Sequence, residues 1–178
     1  MNDRSYLYSD DSQLMGFALS QLVGGGSFLE IGVGNGGNQK FVKDKFDLVV
    51  GTDIVKLKEA KLENSFAELI IADRASCFRS SVFDVIAFNP PYVPSETIVD
   101  RKVDGGPNGV EVPLGFLKSA LEVIKKSGKI LILLSSEDQM PLFRKFCEEH
   151  LLISKKVIER KLFFETLTVF EIDTRYKR

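Results

Sequence analysis

The segment Val82-Phe83-Asp84-Val85-Ile86-Ala87-Phe88-Asn89-Pro90-Pro91-Tyr92 decides how the rest of the chain is read. Val82–Phe88 is a mostly apolar run of strand length, and it stops at two prolines. Proline lacks a backbone N–H, fixes its own φ and holds the residue before it in an extended conformation. The turn therefore closes into neither a helix nor a sheet ladder. It leaves the Asn89 side-chain amide and the Pro90 carbonyl free, with the Tyr92 ring beside them. An amide and a carbonyl can hold a planar –NH2 group, and an aromatic face can stack on it. Such a site grips an amide or base amino nitrogen while something is done to it. A bare turn stop is the competing reading, and it loses ground because two other segments fit the same ligand.

Working outward, similar runs occur at Phe28–Val33, Leu48–Asp53, Leu69–Ala72 and Lys129–Leu134. Most are apolar on both faces and alternate with helical patterns, which indicates a parallel sheet covered on both sides. Asp10, Asp11 or Ser12 can cap a helix with apolar positions Leu14, Met15, Ala18, Leu19, Leu22 and Val23, ended by Gly24-Gly25-Gly26. Leu114, Leu117, Ala120, Leu121 and Ile124 make a second helical face, closed by Gly128, and a weaker pattern runs from Ile54 to Asn64. Asp138 as the cap of a further helix puts Pro141 where its missing N–H costs nothing. Ile153–Arg160 and Phe163–Ile172 lie too close for a helical crossover and should pair antiparallel. The expected fold is α/β: a seven-stranded, mostly parallel, doubly wound, Rossmann-like sheet with a C-terminal antiparallel hairpin.

A length of 178 residues predicts a single domain over 1–178. The net charge of −1 gives no whole-molecule field to attract nucleic acid. The basic end Arg175-Tyr176-Lys177-Arg178 reads as a solvated terminus. No apolar stretch approaches the ~20 residues of a membrane span, and the N-terminus does not read as a signal peptide. Cys77 and Cys147 lack metal-ligand spacing and read as buried thiols in a reducing compartment, so the expected location is cytoplasmic. His150 is the only histidine, which argues against a His-based triad and a His-rich metal site. It falls where a helix should end, and end-of-helix packing accounts for it.

Glu30-Ile31-Gly32-Val33-Gly34-Asn35-Gly36-Gly37 is expected to end the first strand and open a helix. Gly32, Gly34 and Gly37 satisfy a dinucleotide-type spacing, and Asp53 lies at the distance of a ribose-binding acid, so a nicotinamide cofactor has to be weighed. Glu30 would repel a pyrophosphate and suits an ammonium group. No second domain presents a hydride acceptor, and a nicotinamide enzyme has no need for Asn89–Tyr92. S-adenosyl-L-methionine fits best, with its cationic amino acid end, ribose diol and no phosphate. Asp53 would accept hydrogen bonds from the ribose hydroxyls and Asp73 one from the adenine amino group, while the Arg74 N–H would meet a ring nitrogen. All stand at carboxyl ends of expected parallel strands, where open α/β sheets bind ligands. Turn or cap chemistry is the alternative for either acid alone.

With these residues placed, the chain resembles the HemK-like branch of class I methyltransferases. Within it the likeness is to the short archaeal and eukaryotic enzymes that methylate a glutamine, in a GGQ motif, of class 1 translation release factors. Asn89–Tyr92 and Glu30–Gly36 carry the resemblance, with Asp10-Asp11-Ser12, Asp104–Gly109 and Glu165-Thr166-Leu167 as weaker matches. The resemblance implies that the Asp10–Ser12 segment closes over the cofactor, with Ser12 among its contacts. It also implies a small zinc-binding activator protein at the edge strand Glu68–Ala72. Tyr8 stands where the family usually has a proline, and Val110 where a basic residue often follows the loop glycine.

The implied mechanism assigns Asn89 Oδ1 and the Pro90 carbonyl to the two amide N–H groups, and Tyr92 to the amide plane. Alignment and desolvation, rather than a general base, would do the catalysis. An adenine or other amino-group methyltransferase acting on nucleic acid would use the same turn after base flipping. Against it stand the net charge and the absence of a basic stripe. A non-catalytic S-adenosylmethionine-binding module is the remaining alternative, and the intact Asn89-Pro90-Pro91 argues against it.

Overall fold

A computed structural model describes residues 9–34, 36–55, 68–97, 99–135 and 139–174. In chain order the elements are α1 (Asp10–Ser20), β1 (Ser27–Ile31), β2 (Leu48–Asp53), β3 (Glu68–Ile71), β4 (Phe83–Phe88), β5 (Val93–Pro94) and β6 (Asp104–Gly106). They continue with α2 (Glu111–Val123), β7 (Ile124–Ser135), α3 (Met140–Glu149), β8 (Ile153–Lys161) and β9 (Thr166–Asp173). Seven strands form one sheet in the order β3-β2-β1-β4-β7-β9-β8. The first five run parallel, and β9 pairs antiparallel with both β7 and β8. This is the class I methyltransferase arrangement expected from the sequence.

Side chains alternate between two cores. Leu29, Ile31, Ile86, Phe88, Ile130, Ile132 and Leu134 face α2 and α3 on one side. Phe28, Val85, Ala87, Leu131 and Leu133 face α1 on the other. The period of two along strands buried on both faces is why the sequence shows unbroken apolar runs. Because β2 and β3 extend from one side of β1 while β4 begins the other, the strand order reverses between β1 and β4. The crevice of a doubly wound sheet opens at that point, outside the carboxyl ends of the strands.

Several boundaries differ from the sequence expectations. Helix α1 ends at Ser20 rather than near Val23, which is 91% exposed. Its last carbonyls are taken by the Lys45 ammonium, which donates to Ser20 O and Leu22 O. The glycine turn leads only into a 3-10 turn, Gln39–Phe41, not a full helix. The chain must double back at Lys45, whose carbonyl accepts from Gly25 N at 2.7 Å. Gly128 does not close α2. That helix stops at Val123, and Ile124 is already extended and paired with Phe83.

Phe163 and Phe164 lie in the hairpin turn, not in β9, because the strands register Lys161 against Thr166. Cys77 is exposed, since its turn directs Ala75 and Phe78 inward instead, whereas Cys147 is buried as expected. Gln139 holds the cap position of α3, and Asp138 lies outside the described residues. Pro141 stands in the first turn as anticipated. Of the weak pattern Ile54–Asn64, Ile54 and Val55 form bends and the remainder lies outside the described residues. Tyr8 and the basic end at 175–178 also lie outside them. His150 ends α3, stacked on the Phe146 ring at 4.0 Å.

None of the helices among the described residues is long and apolar enough to cross a membrane. Ile132, fully buried in the interior strand β7, and Ile71, 63% exposed on the edge strand, should differ in the cost of truncation. Ile132→Ala is expected to lower unfolding stability by about 2–5 kcal/mol and Ile71→Ala by less than about 0.5 kcal/mol, read from urea midpoints at constant m.

Candidate active site

The carboxyl ends of β1, β2, β3 and β4 share one rim, and every expected catalytic or cofactor-binding residue except Ser12 lies at or just after one of these ends. Ser12 stands in the first turn of α1, and its backbone N–H donates to Asp11 Oδ1 at 2.6 Å. Asp11 in turn reaches the rim: its Oδ2 accepts from Asn89 Nδ2 at 2.9 Å. With Nδ2 fixed, Asn89 Oδ1 is oriented, and it is buried without a hydrogen-bond partner among the described residues. A buried amide oxygen left so costs about 1–3 kcal/mol, so the site holds an acceptor in readiness for a donor. The cap position belongs to Ser9 rather than to Asp10, Asp11 or Ser12, which all lie in the first turn of α1. That Asp11 orients a side chain 78 residues away was not legible in the sequence.

Glu30 is only 3% exposed. Its Oε1 accepts from Asn38 Nδ2 at 3.1 Å, while Oε2 is buried without a partner. Burial pushes the carboxyl up to about 7, with the Asn38 and Gln39 amides opposing the shift and nearby Asp53 adding to it. A cation placed against Oε2 would remove that penalty. Gly32, at φ +75°, makes the turn immediately after Glu30 in a conformation that L side chains rarely adopt. A Cβ there would also stand 3.3 Å from the Phe116 ring.

Asp53, at the end of β2, accepts from Gly34 N at 3.0 Å and from Val55 N at 3.1 Å. Its carboxylate is thereby fixed beside the glycine turn with lone-pair directions to spare. Asp73 and Arg74 follow β3 on the adjacent strand end, and Ala72 N donates to Asp53 O. Asp73 is exposed, and Arg74 adopts a left-handed φ of +52°. The Arg74 guanidinium lies 5.3 Å from the Phe116 ring centroid, and Ser119 Oγ accepts from Ala75 N. Phe116 therefore connects the glycine turn to the Asp73–Arg74 turn, and it lies outside the apolar face read from the sequence of α2.

Pro90 is buried, and Tyr92 packs its partly buried ring on the α1 side of the sheet. The Tyr92 carbonyl accepts from Gln139 Nε2 at 2.8 Å, and Gln139 Oε1 accepts from Ser135 N at 3.2 Å. Gly109, at φ +70°, approaches so closely that a Cβ would fall 2.4 Å from Tyr92 O. The loop Asp104–Gly109 thus braces the proline turn, and β5 and β6 join the two as a small parallel ladder. Val110, where the family often has a basic residue, is fully buried in the core.

The chain is similar to known proteins in sequence and in fold. The chain is 38% identical over 126 residues to a Methanocaldococcus jannaschii protein named, provisionally, a protein N5-glutamine methyltransferase. That match spans 61% of this chain and 61% of the relative, so less than two thirds of the relative's length is covered. The E. cuniculi Mtq2-Trm112 complex, which methylates the translation termination factor eRF1, superimposes with a TM-score of 0.75. The two chains are 27% identical, covering 93% of this one and 95% of that one. A Lactobacillus delbrueckii ribosomal protein L11 methylase shares the fold alone, at 14% identity, TM-score 0.62, and coverage of 92% of this chain and 78% of that one. No protein-family model matches the chain.

The raised pKa of Glu30 has a measurable consequence. Between an unfolded value near 4.5 and a folded value of about 7, the native protein binds the extra proton. Stability from this group is therefore fully present below pH 4.5 and declines as pH rises to 7, by about 3 kcal/mol in all. Urea unfolding should show that decline in the ligand-free protein and its absence in Glu30→Gln.

Proposed function

We propose that this chain, a protein of the class I methyltransferase fold similar to glutamine N5-methyltransferases, transfers a methyl group from S-adenosyl-L-methionine to the side-chain amide nitrogen of a glutamine in a class 1 translation release factor. The observation that carries the reading is Asn89 Oδ1, buried without a hydrogen-bond partner among the described residues, on an amide whose Nδ2 is held by Asp11. A primary amide supplies the donor that this oxygen lacks. The second amide proton goes to the Pro90 carbonyl, and Tyr92 packs against the amide plane. With both N–H groups held, the nitrogen lone pair has one direction left, and that direction is fixed before the acceptor arrives.

The cofactor fits on independent grounds. Glu30 Oε2 is a buried carboxylate oxygen without a partner, suited to the ammonium of the amino acid end. In this reading Asp53 takes the ribose diol, Asp73 the adenine amino group and the Arg74 N–H a ring nitrogen, with the Gly32–Gly34 backbone approaching the cofactor and Ser12 contacting it from α1. When bound, the sulfonium supplies an already activated methyl group. The protein's own task is then to bind, orient and exclude water, and no group of raised basicity beside Asn89 is needed. The release factor is the acceptor favoured by the Mtq2-Trm112 comparison, whose enzyme methylates eRF1.

An activator subunit belongs to the same reading. Among the described residues, strand β3 pairs with β2 on one side only and presents Ile70 and Ile71, 37% and 63% exposed, at the sheet edge. An apolar edge of this kind accepts a strand from another chain. A small zinc-binding protein adding a strand there would cover Ile71.

Two expectations follow. Labelled methyl transfer to purified release factor should exceed transfer to DNA and tRNA; Asn89→Ala should lower the rate about 10²–10³-fold with cofactor affinity nearly intact. Asp53→Ala should instead weaken cofactor binding, at about 1.5–3 kcal/mol for each lost hydrogen bond. Preferential methylation of a nucleic acid would overturn the assignment of acceptor. For the edge, Ile71→Lys should abolish co-purification with the activator while leaving the isolated chain folded, and an unaltered complex would place the partner elsewhere.

A further inference from the structure

Phe163 and Phe164, at the turn between β8 and β9, are 91% and 92% exposed, whereas Phe17 is 52% exposed. Their rings meet edge to face with centroids 4.6 Å apart, and the turn that carries them is closed by Leu162 N donating to Glu165 O. Folding does not account for two adjacent rings held in water, because neither packs on the core. An exposed aromatic pair of this kind marks a contact site.

The surrounding hydrogen bonds say what the pair is near. Glu165, next to Phe164, accepts from Ser135 Oγ. Ser135 N donates to Gln139, and Gln139 donates to the Tyr92 carbonyl of the acceptor turn. On the other strand, Arg160 pairs with Asp10 at 2.6 Å, beside the Asp11 that holds Asn89. Leu162 packs in the same cluster as Tyr92. Because Leu167 of β9 lies opposite Ser135 at the end of β7, the hairpin tip stands at the same rim as Asn89. The activator edge is at the other end of the sheet: with strands about 4.8 Å apart, six spacings put β3 about 29 Å from β8. A strand added to β3 leaves the aromatic pair uncovered.

We propose that Phe163 and Phe164 form the docking element for the protein acceptor. Apolar side chains near the target glutamine pack on the two rings while the glutamine amide enters beside Asn89. The proposal rests on the acceptor being a protein, as argued above. The rings cross at 80°, which does not offer the aligned faces that successive bases stack on, and Lys161 and Glu165 flank them with opposite charges. The hairpin thus selects for a folded substrate, and Asn89 acts on whichever amide is delivered.

The test is the double variant Phe163→Ser/Phe164→Ser, assayed with the activator where the isolated chain is inactive. KM for intact release factor should rise about tenfold or more, the change expected from loss of an aromatic contact of this size. At the same time kcat, cofactor affinity, unfolding midpoint and KM for a short glutamine peptide should stay at wild-type values. Unchanged KM for the intact factor overturns the proposal, as does an equal loss on factor and peptide, which would mean that the pair acts on the site itself. A wild-type dimer that the variant dissolves, with KM unchanged, would assign the rings to self-association instead. If the wild-type protein methylates nucleic acid and not the release factor, the functional reading fails and this proposal falls with it. An active wild type with an insensitive KM sinks the docking role alone.

Discussion

Phe28, Leu29 and Glu30 of β1 pair in parallel with Val85, Ile86 and Ala87 of β4, and that register brings the glycine turn and the Asn89 turn to one rim. A parallel pair requires a long crossover, and here the crossover carries β2 and β3 to the far side of β1. The strand order must therefore reverse between β1 and β4, and the crevice forms there. Slipping the register by one residue would turn Phe28 and Leu29 to the wrong cores and move Glu30 off the rim. Both hydrophobic layers hold this alignment in place, so the positions of Glu30 and Asn89 follow from packing far larger than the site.

Within that frame the rim is built ahead of any ligand, at a cost to the protein. Glu30 is buried with one oxygen unpartnered, and Asn89 Oδ1 is in the same condition. Natural interiors rarely leave such groups, and when they do a function is the usual cause. Three supports hold them in place: Asp11 on Asn89, Asn38 on Glu30, and Gln139 on the Tyr92 carbonyl. A site made this way spends little on reorganisation when its ligands arrive. The same logic explains why Gly109 must be small, since Tyr92 O stands where its Cβ would be.

Much of this was legible in the sequence. The strand runs, their parallel pairing and the terminal hairpin followed from apolar periodicity, because strands buried on both faces leave a strong mark. Asn89-Pro90-Pro91-Tyr92 was legible because proline restricts its neighbours whatever the tertiary context. What could not be read depends on contacts between distant segments. The end of α1 is set by Lys45, the end of α2 by the pairing of Ile124 with Phe83, and the brevity of the turn after Gly36 by the contact of Lys45 with Gly25. Asp11 carried only the local signal of a helix start, and nothing local marked Phe116 or Gln139. Only the folded chain joins them to the rim.

The most direct test of the account is the structure of the complex with S-adenosylhomocysteine and a glutamine peptide, read at one distance. The glutamine amide nitrogen should lie about 2.7–3.2 Å from Asn89 Oδ1, with Asp11 still holding Asn89 Nδ2 and the ligand's ammonium against Glu30 Oε2. A glutamine bound elsewhere, with Asn89 Oδ1 still lacking a partner, would contradict it.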